Sequence, residues 1–127
     1  MKEALAIQLL CAALGGEQEV RHAYQAGALT RYIRVDCESA EFVMEMGLDK
    51  RSSYDSLHQA LFAAQLTGKA PQIVIIDTDL IESPAEYQIR TTAERAGVSY
   101  KSFYINELVR LLELPGLAEQ LGIAPDK

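Results

Sequence analysis

Apolar and polar positions along this 127-residue chain change period several times, and the changes divide it into elements. Over residues 2–14, Leu5, Leu9, Cys11 and Ala12 recur at helical spacing and Gly15 and Gly16 follow, which predicts an amphipathic first helix closed by a glycine cap. A weak strand is expected over 19–24. Residues 31–36 alternate, with Ile33 and Val35 on one face, as a half-buried strand does. A further short strand over 41–46 follows so closely that the two must form an antiparallel hairpin, because a parallel return needs a dozen residues or more. Ser52, Ser53, Tyr54 and Asp55 have the character of a capping box, and Leu57, Ala60, Leu61 and Ala64 then repeat at helical spacing up to Gly68.

Ile73, Val74, Ile75 and Ile76 form a continuous β-branched run after Pro71, the pattern of a central strand covered on both faces. It ends in Asp77, Thr78 and Asp79. Ser83 and Pro84 open another helix that runs to Ala96 before Gly97, with proline at its favoured first position. A last strand over 98–105 and a last helix over 106–114 precede Pro115 and Gly116, and a short helical turn and a polar tail finish the chain. The predicted order is helix, three strands, helix, strand, helix, strand, helix, which is an α/β arrangement in a single domain.

Composition narrows the picture in three ways. The hydrophobic share of 49% suits one buried core. No run of about 18 apolar residues is present, and the first ten residues lack the basic region and cleavage site of a signal peptide, so the chain is expected to stay in the cytoplasm and off membranes. Cys11 and Cys37 are too few and too unpatterned for a disulfide framework or zinc cluster, and both are read as reduced thiols. The net charge of −6 argues against broad coating of nucleic acid. The basic pairs Arg21 and His22, Arg31 and Arg34, and Lys50 and Arg51 are nonetheless gathered in the first half, where they can make a local groove.

The chemistry centres on two acids. In a hairpin turning over residues 39–42, Asp36 and Glu45 fall opposite one another on the same face, with Cβ atoms roughly 4.5–5.5 Å apart, near enough to share a hard cation. Without a cation the two would repel, raising one pKa. Asp77, Thr78 and Asp79 bring to mind a phosphatase-type DxD motif, but only 48 residues follow Asp79, and turn polarity accounts for the trio more simply. Ser, Cys and His are too scattered for a nucleophilic triad.

Arg34, Val35 and Asp36, followed by Val43 to Gly47 on the next strand and a helix carrying His58 and Gln59, resemble the PD-(D/E)xK nuclease superfamily. That family, also called restriction-endonuclease-like, has an αβββαβ core with an Asp at its second strand and an (Asp/Glu)-x-Lys on its third. The resemblance spans about residues 1–78. It implies a three-layer domain with a central mixed sheet, an antiparallel hairpin and helices on both faces. It further implies a Mg²⁺ or Mn²⁺ site at Asp36, Glu45 and the Met46 carbonyl, with Glu3 as an extra acidic residue and Gln59 as the glutamine that some branches carry. Gly47 stands where the lysine belongs, and Lys50 is the nearest substitute.

Two functions follow from different classes. One is a metal-dependent phosphodiesterase acting on DNA, with Asp36, Glu45 and Lys50 catalytic and Arg34 and Arg51 neutralising phosphates. The other is a catalytically silent member of the fold serving as a binding or assembly module, which Gly47 and the acidic net charge favour. An unrelated domain binding a small metabolite is a third.

Overall fold

The structure, a computed structural model, describes residues 3–49 and 55–113. Its elements are α1 (Glu3–Ala13), β1 (Glu17–Ala26), β2 (Leu29–Glu38), β3 (Phe42–Leu48), α2 (Asp55–Thr67), β4 (Ala70–Asp77), α3 (Pro84–Arg95), β5 (Ser99–Tyr104) and α4 (Ile105–Glu113). This is the predicted order. The capping stretch expected at Ser52 to Tyr54 and the stop at Pro115 and Gly116 lie outside the described residues, as do Lys50 and Arg51.

The five strands form one mixed sheet in the order β1-β2-β3-β4-β5. β2 runs antiparallel to β1 and β3, while β3, β4 and β5 are mutually parallel. The β-branched run places β4 in the interior of the sheet, as its composition predicts. Alternation along it serves two cores at once: Val74 and Ile76 pack with α1 residues Ala6, Leu9 and Leu10 and with Leu108 of α4, while Ile73 and Ile75 pack with Ala60 of α2 and Ile89 and Ala93 of α3. Helices therefore cover both faces. Each such side chain contributes roughly 1.5–3 kcal/mol by leaving water.

Local signals set the helix ends. Ser83 accepts a hydrogen bond from the Glu86 amide at 3.2 Å, and the Ser83 amide donates to the Glu86 carboxylate at 3.0 Å, so the capping box closes around Pro84 at the first turn of α3. The helix leaves through Gly97, whose φ of +77° is costly for any residue with a Cβ.

Three expectations need correction. The first strand is not a short segment over 19–24 but a ten-residue partner of β2, paired from Glu17↔Glu38 to Ala26↔Leu29. Its hydrophobic alternation is faint because the ribbon is half solvated. Its turn is the two-residue loop of Gly27 and Ala28, with Gly27 at φ +64° as primed hairpin turns require.

The hairpin between β2 and β3 has the predicted register, yet only Cys37↔Met44 and Glu38↔Val43 are paired as strands. The other side of β3 is occupied by β4, and β2 departs with β1.

Finally, Cys11 and Cys37 are not free thiols. They form a buried disulfide with Cα atoms 5.7 Å apart. The 26-residue separation hides the pairing in the sequence, but α1 is packed against the sheet so that its last turn meets the end of β2, and Gly16 leaves room for the sulfurs. Disulfides persist in oxidising compartments, so this bond weighs against the cytoplasmic placement that accompanied reduced cysteines. Among the described residues, no helix is long and apolar enough to cross a membrane.

Candidate metal centre

β2 rolls over at Asp36. Val35 packs with Val43 and with Ala63 of α2, whereas Cys37, two residues on, belongs to the α1 core. In a regular strand the two would share a face. Opposite this point the β1–β2 pairing skips Glu19, whose φ is +55°.

The rung that would follow Cys37↔Met44 sets Asp36 against Glu45, and there the carboxylates replace the strand ladder. The Asp36 amide donates to Glu45 Oε2 at 3.4 Å, and the Met46 amide donates to Asp36 Oδ2 at 2.9 Å. The two acids are thus neighbours, as their parity requires.

Burial governs their charge. Glu45 is 6% exposed. Desolvation, with the Asp36 charge as the next cause, pushes its pKa up to about 8, against smaller opposing effects of the Asp36 amide and Arg34. Asp36 is also raised, first by burial and further by the charges of Glu19 and Glu3, although the Met46 amide and Arg34 pull it down. At neutral pH Glu45 is therefore mostly a carboxylic acid beside a carboxyl group whose own ionisation is resisted.

Two cavities meet at Arg34 and Asp36, which line both. One, of about 430 Å³, is bounded by Glu3, Glu19 and Met46. The other, of about 550 Å³, is bounded by Gln59 and by the rings of Tyr24, Tyr32, His58 and Phe62. Of the residues singled out in the sequence, Glu3, Arg34, Asp36, Met46 and Gln59 are thereby gathered round one place, with Glu45 beside Asp36. A Cβ added at Gly47 meets nothing within 4 Å, so this position has room for a side chain.

A second acidic cluster lies at the carboxyl ends of β3 and β4. The turn role expected for Asp77 and Asp79 is present. Asp77 Oδ1 accepts from the amides of Asp79 and Leu80 at 3.1 and 2.9 Å, and Asp79 Oδ1 accepts from the Ile81 amide at 2.9 Å. Asp49, absent from the sequence reading, joins them. It accepts from the Thr78 amide at 3.0 Å and from the Thr78 hydroxyl at 2.9 Å.

Carboxylate oxygens of Asp49, Asp77 and Asp79 come within 4.8 Å of one another, and three hard oxygen donors at that spacing can hold a metal ion. The signal that would have found Asp49 is the register Leu48↔Ile76, which sets the residues after the two strands side by side. Sequence patterning gives a short hairpin its register but not that of two parallel strands joined by a helix.

The aromatic wall of the larger cavity also escaped the sequence reading. Tyr24 meets Phe62 edge-on at 4.9 Å, and His58 lies parallel to Phe62 at 6.4 Å between centroids. Tyr24 is 34 residues from His58 and 38 from Phe62 in the chain, so only the folded ribbon brings them together.

No protein-family model, curated protein or solved structure matches this chain.

Proposed function

We propose that the chain is a divergent PD-(D/E)xK-like protein, a metal-dependent phosphodiesterase acting on DNA at Asp36 and Glu45. The observation that carries this reading is the Asp36–Glu45 pair, held by reciprocal carboxylate-to-amide bonds where two cavities meet. The element order α1, β1, β2, β3, α2, β4 over Glu3–Asp77 agrees with the αβββαβ core that the motif resemblance implies.

The residues present suit a divalent cation. Asp36 and Glu45 are hard oxygen donors, and burial first and the Asp36 charge second raise the Glu45 pKa, costs that a cation joining the pair would offset. Asp36, Glu45 and the Met46 carbonyl would hold Mg²⁺ or Mn²⁺, which in such a site polarises a phosphoryl oxygen and lowers the pKa of bound water. Glu45 would have to give up its proton to act as a ligand. Arg34, beside both acids, holds a phosphate against them. Asp36 keeps its orientation through the Met46 amide. Lys50 remains the sequence's candidate for the missing motif lysine.

Gly47 favours a second reading, a silent binding module, because glycine can neither orient nor polarise an attacking water. The deciding experiment is a cleavage assay on single-stranded, duplex and branched DNA with Mg²⁺ or Mn²⁺. Wild type, Glu45→Ala, Lys50→Ala and Gly47→Lys are compared. Cleavage by wild type that is lost in Glu45→Ala supports the phosphodiesterase. Silence of wild type and Gly47→Lys on every substrate turns the assignment to the binding module.

A further inference from the structure

We infer that the cavity between the β1–β2 ribbon and α2 receives an unstacked base, which makes the substrate of the Asp36–Glu45 site a single strand or a single-stranded end. The inference rests on the phosphodiesterase reading and names its substrate class.

The cavity's volume of about 550 Å³ falls within the roughly 300–1,000 Å³ of small-ligand clefts. Its walls combine the faces a base needs. Phe62, braced edge-on by Tyr24, and His58, parallel to Phe62, supply stacking surface, and Gln59 supplies an amide able to donate to and accept from a base edge. Tyr32 is 58% exposed, and the Arg21 guanidinium lies 4.5 Å from its ring centroid. An exposed ring steadied by a cation is a platform awaiting a second planar group.

Charge points the same way. Residues 20–35 contain Arg21, Arg31 and Arg34 and no Asp or Glu, so this part of the ribbon carries +3 in a chain of net −6, leaving −9 for the remainder. Such an asymmetry steers a polyanion to the ribbon and away from most of the surface. Arg34 and Asp36 line both the base cavity and the acidic one, so a base held against Phe62 leaves its own phosphate at Arg34, next to the two acids. A duplex keeps its bases stacked and would have to extrude one to reach this position, whereas a single strand offers it at little cost.

β3 pairs with β2 only at Cys37 and Glu38, so the edge from Leu29 to Val35 has a strand on one side alone. That open edge leaves access to the cavity.

The test is fluorescence anisotropy with a labelled oligothymidylate of about 12 nucleotides and a duplex of the same length, in EDTA so that binding is read apart from any cleavage. Wild type is expected to bind the single strand more tightly than the duplex. Tyr32→Ala should weaken the single strand roughly ten-fold while Tyr32→Phe, which keeps the ring, binds as wild type does. Circular dichroism confirms that both variants are folded. Equal binding of duplex and single strand, no binding of either, or a Tyr32→Ala protein indistinguishable from wild type overturns the inference.

Cleavage of the same oligonucleotide with Mn²⁺ by wild type and Glu45→Gln separates the two ideas. Ring-dependent single-strand binding without any Glu45-dependent cleavage removes the phosphodiesterase and leaves a single-strand-binding protein. Glu45-dependent cleavage with ring-independent binding removes only the base cavity.

Discussion

Glu45 lies within β3 and Asp49 just past its end, four residues apart, and their carboxylates meet different surroundings. Glu45 faces Asp36 across a gap in the sheet, and each member of the pair accepts a backbone amide from the other's strand. Burial and mutual repulsion leave Glu45 with a pKa near 8. Asp49 is as deeply buried, at 4% exposed, yet both of its oxygens are taken up by the amide and hydroxyl of Thr78. The nearby Asp77 and Asp79 each commit one oxygen, Oδ1, to the turn that follows β4. In one cluster ionisation is resisted beside two cavities, while in the other the carboxylates brace a turn. Proximity of carboxylates alone does not make two acidic clusters alike. What separates these two is burial against a second acid in one and close bonding to Thr78 and the turn in the other.

The largest effect that would break this comparison is pH. Glu45 has a folded pKa near 8 against an ordinary value of 4.5, so below pH 4.5 it costs folding nothing. As pH rises from there through 8, the unfolded chain releases a proton that the folded one keeps, and stability falls by an amount on the order of a few kcal/mol. Asp36 shifts in the same direction. Glu38 shifts the other way. Burial would raise it, but hydrogen bonds from Lys69 and His22 outweigh that and lower its pKa, so its contribution is lost on acidification. Denaturant melts of wild type and Glu45→Gln across the range isolate the Glu45 contribution. The wild type's decline towards pH 8 should be largely absent in Glu45→Gln, and parallel curves would show that Glu45 is ionised in the native protein.

Removing Asp49 should come next. Asp49→Ala leaves the Thr78 amide and hydroxyl without their acceptor and is expected to cost about 2–3 kcal/mol, read as a lowered denaturation midpoint. Asp79→Ala, at an exposed turn position, should cost under about 1 kcal/mol.

Metal binding sharpens the contrast more finely. Mn²⁺ must displace the Glu45 proton, so its affinity should strengthen as pH approaches 8, and calorimetry should find the response lost in Glu45→Ala and kept in Asp79→Ala. The reverse pattern would move the cation to the cluster at Asp49.

Gly47→Lys is the smallest perturbation of the fold. Gly47 shares a strand face with Glu45, and a Cβ there meets nothing within 4 Å, so the thermal midpoint should change little while a cation arrives beside the acids. A gain in Mn²⁺-dependent cleavage over wild type is the expected readout.

Where the sequence was informative, one rigid rule was enough. The run from Ile73 to Ile76 suits a covered strand, and a turn over residues 39–42 sets Asp36 and Glu45 on one face. What escaped depended on relations between distant segments. The extent of β1 is set by pairing with β2 and not by its own weak alternation. Asp49 becomes part of a cluster only through the parallel register of β3 on β4. Cys11 and Cys37 meet only because α1 crosses the end of β2. No local window contains either partner of these relations with the other.

The disulfide has a consequence for how the chain can be cut. Cys11 and Cys37 close a covalent ring whose interior is nearly the whole β1–β2 ribbon, including the exposed turn at Gly27 and Ala28 and the exposed Arg31. A protease that severs the ribbon's tip opens the ring without dividing the molecule. Trypsin nicked at Arg31, the protein should run as one band on a non-reducing gel and as two after reduction, a mechanical tether that keeps Arg34 and Asp36 on the same body as α1 after the backbone between them has been broken.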